Sequence, residues 1–62
     1  MKVRISNLGS TPRDRVTTEV QCLLLTKEIH LVSFVPFVLK IKDGTDADLE
    51  KLKKSGFNIV KV

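Results

Sequence analysis

Val3 and Ile5 alternate with Lys2, Arg4 and Ser6 at the start of the chain, the two-residue period of a strand with one buried face. Asn7-Leu8-Gly9-Ser10-Thr11-Pro12 ends that pattern with turn-forming residues. From Asn7 to Arg15 the chain reads as a flexible polar loop or arm, with Leu8 as its one apolar residue. The arm has too little hydrophobic surface to offset its ordering entropy, roughly 1–2 kcal/mol per residue. Strict alternation then resumes: Val16, Thr18, Val20, Cys22 and Leu24 share one parity, and Thr17, Glu19 and Gln21 the other. This predicts a second strand, covered on both faces at its end by Leu23 and Leu25. Thr26-Lys27-Glu28 reads as a short hairpin connection into a β-rich run from Ile29 to Val35. Pro36 cannot donate to a ladder and marks an edge, a bulge or a break. Phe37 to Lys42 follows as a short strand, with Phe37, Leu39 and Ile41 inward and Val38, Lys40 and Lys42 outward.

The period then changes. Asp43-Gly44 is a turn, Thr45 an N-cap, and Asp48 stands three residues on as a short relative of the capping-box Glu. Asp46, Asp48 and Glu50 lie near the positive end of the helix dipole, and Lys51, Lys53 and Lys54 toward the negative end. Leu49 and Leu52 make a narrow apolar stripe. Gly56 stops the helix as C′, and Phe57 as C″ is placed to pack back on Leu52. Phe57 to Val62 closes the chain as a strand. The expected architecture is α+β: residues 1–62 form a single small domain, with 7–15 the arm. A small antiparallel or mixed β-sheet of three to five strands carries one helix, Thr45 to Ser55, packed on one face.

Composition sharpens this picture. With 62 residues, a domain buries only about 60% of the surface its unfolded chain exposes, so a partner surface would add stability. An apolar fraction of 42% and a charged fraction of 29% are those of a globular chain, not a disordered one. Cys22 is the only cysteine, which excludes an intrachain disulfide, suits a reducing compartment and reads as a small buried hydrophobe. The first residues lack the apolar core of a signal peptide. The most apolar stretch, Ile29 to Ile41, is interrupted by His30, Ser33, Pro36 and Lys40, and no membrane partner is expected.

The chemical inventory assigns no catalytic residue, no cofactor-binding residue and no metal ligand. The only nucleophile–base combination is Cys22 with His30, and no third residue marks itself to orient the ring. Asp43, Asp46, Asp48 and Glu50 lack the spacing of a calcium loop and read as helix-start acids. The chain is therefore expected not to be an enzyme.

Basic residues are the remaining signal. Eleven Lys and Arg against seven Asp and Glu give a net charge of +4. Lys2, Arg4, Arg13 and Arg15 cluster early, and Lys40, Lys42, Lys51, Lys53, Lys54 and Lys61 cluster late. Arg4, Arg13, Arg15, Lys40 and Lys42 are the candidate partner or phosphate contacts. Phe34, Phe37 and Phe57 all sit in contexts that read as core, leaving no exposed ring for base stacking, and a single helix excludes a helix-turn-helix.

Three segments resemble small virion-associated proteins of tailed bacteriophages and Mu-like prophages. They are the opening strand Lys2 to Asn7, the Pro12-Arg13 step, and the acidic helix start, Leu-Glu-Lys-Leu-Lys-Lys helix, Gly-Phe and valine-rich strand from Asp46 to Val62. The resemblance spans roughly half the chain, and the middle, Gln21 to Ile41, departs from it. It implies a structural role in a head, neck or tail, in the virion or the host cytoplasm. The partner would be protein, in a homo-oligomer or a larger hetero-assembly. The alternatives are a small basic nucleic-acid-binding protein and a small phage-encoded regulator of a host protein.

Overall fold

The computed structural model describes residues 1–62. The elements are β1 (Lys2–Ser6), α1 (Arg13–Leu23), β2 (Ile29–Ser33), β3 (Val38–Ile41), α2 (Asp46–Lys54) and β4 (Asn58–Lys61). The four strands form one sheet in the order β2-β3-β1-β4, every neighbouring pair antiparallel. The domain is α+β, and its βαββαβ order with this strand arrangement is the ferredoxin-like topology. No helix is long and apolar enough to cross a membrane.

Register sets the two faces of the sheet. Val3 lies opposite Leu39, Ile5 opposite Ile59 and Ile29 opposite Ile41, and successive residues point to opposite sides. That parity faces the helices. Val16, Val20 and Leu24 from α1 and its end, and Leu49 and Leu52 from α2, join Val3, Ile5, Phe37, Leu39, Ile41 and Ile59 in one buried cluster. Both helices therefore cover the same face, and the opposite face carries no second layer.

The late helix follows the expected physics closely. The Thr45 hydroxyl accepts from the Asp48 amide at 3.4 Å, and the Asp48 carboxylate accepts from the Thr45 amide at 3.0 Å, a complete capping box. At the other end the Gly56 amide donates to Lys53 and the Phe57 amide to Leu52, with Gly56 at φ +99°. This is the Schellman pattern, and the left-handed φ explains the glycine. Phe57 packs against the core beside it.

The earlier helix overturns the strand expected at Val16 to Leu25. Its apolar positions Val16, Val20 and Leu24 recur every four residues, a spacing that fits period 2 and nearly fits period 3.6. Thr17 and Thr18 favour strands by propensity, yet here their hydroxyls donate to the carbonyls of Arg13 and Asp14, at 3.0 and 2.9 Å. Pro12 occupies the N-cap with no side-chain cap. At the far end the Gln21 amide donates to the carbonyls of Leu24 and Lys27, at 3.0 and 2.8 Å, replacing the usual glycine stop.

Further expectations change with this helix. The connection after β1 is only Asn7 to Pro12, because Arg13, Asp14 and Arg15 form the first turn of α1. Thr26-Lys27-Glu28 joins a helix to a strand and is not a hairpin. Cys22 is exposed rather than buried, and Leu25 is 79% exposed rather than covered. There are two helices, not one, although two strands separate them in the chain and no helix-turn-helix results. The actual hairpin joins β2 to β3 through Phe34 to Phe37, with Pro36 inside the break between strands. Phe34 there is 55% exposed and not in the core as expected, because it sits in the hairpin beyond the end of β2, so one ring is open to solvent; Phe37 is buried.

Candidate functional site

The face without helices collects the residues of the other parity. Across its first row, the Val62 amide bonds to the Lys2 carbonyl, Lys2 lies opposite Lys40, and Lys40 opposite His30. The next row runs Val60, Arg4, Val38 and Ser33. Asn58 opposite Ser6 begins a third row at one end, and Lys42 bonded through its amide to Glu28 lies at the other. Lys2, Arg4, His30, Lys40 and Lys42 are all exposed.

Backbone bonding sets how two of these cations face each other. Ile41 donates to the Met1 carbonyl at 2.7 Å, and the Met1 ammonium donates to the Ile41 carbonyl at 2.9 Å. Met1 and Ile41 are thus a hydrogen-bonded pair, so the adjacent Lys2–Lys40 pair is the non-hydrogen-bonded kind, whose side chains approach more closely. Like charges placed directly opposite in that way destabilise a sheet. The only carboxylate on this face is Glu28, 3.5 Å from Lys42 Nζ and 3.9 Å from His30 Nε2. Lys2, Arg4 and Lys40 form no ion pair, since the pairs elsewhere engage Arg15, Lys27, Lys53 and Lys61.

Of the residues singled out in the sequence, Arg4, Lys40 and Lys42 meet on this face. Arg13 sits at the start of α1 with its guanidinium 5.7 Å from the centre of the Phe37 ring, a cation–π contact. With Arg4, Phe34 and Pro36 it lines a shallow hollow of about 300 Å³ at the end of β1. Arg15 is separate: it points along α1 to Glu19 at 3.9 Å. Two members of the face, Lys2 and His30, were not among the candidate contacts. Strand parity alone could have placed Lys2 beside Arg4, but only the β2–β3 register places His30 beside Lys40.

A second surface lies along one of the two free edges of the sheet. β2 is an outer strand. From it and its hairpin, Leu31, Val32, Phe34 and Val35 are 45, 48, 55 and 91% exposed. No charged residue interrupts Ile29 to Phe37 apart from the titratable His30.

The Cys22–His30 combination is not assembled. Cys22 lies on α1, in the helix layer, and His30 lies on the helix-free face. No group of three or more His, Cys, Asp or Glu side chains comes together in a way that could hold a metal ion. Comparison of the chain with protein-family models, with curated proteins and with solved structures found no match.

Proposed function

We propose that this domain is a non-enzymatic assembly module acting through protein contacts, with the β2 edge and its hairpin as the contact surface. The observation that carries the reading is the group of exposed apolar side chains Leu31, Val32, Phe34 and Val35, interrupted only by Ser33, on an outer strand with one free edge and on its hairpin. Outer strands are normally guarded by charge, because their free N–H and C=O groups invite another strand. β2 carries no such guard beyond His30 and the irregularity in its register between Leu31 and Ser33. The occupant is a second copy of the chain. An antiparallel edge repeated about a two-fold axis is self-complementary, and β2 brings no like-charged Lys or Arg into that contact. The separation of Cys22 from His30 supports a role without catalysis. The resemblance at Lys2–Asn7 and Asp46–Val62 supports a phage head, neck or tail as the assembly in which such contacts operate.

The test is the oligomeric state by size-exclusion chromatography with light scattering, on the native chain and on Leu31→Lys/Val35→Lys. The native chain should dimerise or assemble further as concentration rises. The variant should be monomeric with an unchanged circular dichroism spectrum, since both side chains are exposed. A native chain that stays monomeric into the millimolar range, or a variant that assembles equally well, refutes the edge contact. Mass spectrometry of purified phage particles checks the virion setting separately.

A further inference from the structure

We propose that the helix-free face of the sheet binds the phosphate backbone of nucleic acid, with Lys2, Arg4, Lys40 and Lys42 as its phosphate contacts and His30 at its border. This site is distinct from the β2 edge and does not depend on the edge being a protein contact.

Charge segregation is the first support. Six of the seven acids (Asp14, Glu19, Asp43, Asp46, Asp48 and Glu50) lie on the helices or the turn before α2. The single acid on the open face, Glu28, is already engaged by Lys42 and His30. Lys2 and Lys40 then stand opposite each other with no counter-charge, an arrangement that opposes folding and that a bound anion would relieve.

Geometry supplies the second support. Lys2 and Arg4 repeat along β1, with Lys40 on the neighbouring β3 and Lys42 one residue past its end. Same-face residues on a strand recur at about 6.7 Å. Two adjacent rows of cations at that repeat suit a linear, regularly charged polymer better than a single small anion. The neutral residues among them, Val38, Val60, Ser6 and Asn58, include no aromatic ring. The exposed Phe34 ring shares a hollow with Arg4 at the hairpin end, so contact is chiefly with phosphates, one ring at most is within reach of a base, and sequence preference should be weak.

Fluorescence anisotropy tests this, using a labelled thymidine oligonucleotide of about 20 nucleotides, longer than the usual single-strand site size, and a duplex of equal length. Two double variants remove the same net charge: Arg4→Gln/Lys40→Gln on the open face, and Lys53→Gln/Lys54→Gln on α2. The native chain should bind at low salt, with log K falling against log salt at a slope of about −3 for four neutralised phosphates. The open-face variant should lose about tenfold or more in affinity and about two units of slope, while the α2 variant stays close to native. Equal losses in both variants would show a response to net charge alone and overturn the site. So would absence of binding at low salt. Phosphatidylserine vesicles provide the last arm: tighter binding to them than to either oligonucleotide, lost in the open-face variant, would reassign the face to membrane lipid and refute the proposal.

Discussion

Replacing Val20 and Cys22 by alanine separates the helix at Arg13–Leu23 from the strand that the alternation there suggests. In a strand the two residues share a buried face. In α1, Val20 is 0% exposed inside the core and Cys22 is exposed. Val20→Ala removes two methyl groups, worth about 1.6 kcal/mol at roughly 0.8 per carbon, and the cavity left behind raises this to about 2–3 kcal/mol. The better helix propensity of alanine returns up to about 0.7 kcal/mol. A net loss of about 2 kcal/mol is large against a total of about 3–9 kcal/mol for a chain this size. It should lower Tm by about 8–16 °C. Cys22→Ala deletes a solvent-facing thiol, so stability should be unchanged or rise by a few tenths of a kcal/mol. Because the chain has no Trp or Tyr, urea unfolding followed by far-UV circular dichroism is the suitable assay. Thiol labelling of the native protein is a second readout, with Cys22 reacting at the rate of an unfolded control. A Cys22→Ala variant destabilised as much as Val20→Ala, or a thiol protected until global unfolding, would refute the helical placement.

Two other substitutions test single contacts. A Cβ at Gly44 would stand 2.9 Å from Met1 Cε and 3.0 Å from Ile41 Cγ2; the Met1 tip can swing away but fully buried Ile41 cannot, so Gly44→Ala should cost roughly 1–3 kcal/mol, and stabilisation in urea unfolding would contradict that crowding. Thr45→Ala breaks the capping box and should cost about 1 kcal/mol, with hydrogen exchange accelerated in the first turn of α2; an unchanged urea midpoint would show that the box adds nothing.

The parts of the fold legible in the sequence are those whose causes are local. α2 is announced by residues that touch each other within a few positions: Thr45 with Asp48, Lys53 with Gly56, Leu52 with Phe57. β1 and β3 are legible because Val3 and Ile5, or Leu39 and Ile41, are separated by residues too polar to bury, which leaves only period 2. The parity of Arg4, Lys40 and Lys42 follows from the same alternation, so half of the candidate face is legible from strand period alone.

The remainder depended on neighbours distant in sequence. The spacing of Val16, Val20 and Leu24 satisfies a strand and a helix alike, and the β-branched residues between them tilt local propensity toward the strand. Long-range packing overrides that tilt. β1 and β2 each run antiparallel to the β3 strand between them, and are therefore parallel to each other. Joining them requires a crossover over one face of the sheet, and a helix is the element that closes that path while satisfying its own backbone. The same crossover turns Cys22 and Leu25 outward and puts both helices on one side. Only then does the opposite face become open, and only the β1–β3 register places Lys2 against Lys40 upon it. Local sequence settles which residues can share a face of each strand and where α2 begins and ends, because those are short-range periodicities and caps. Which strands become neighbours, and hence which charges meet, depends on long-range pairing that no local pattern encodes.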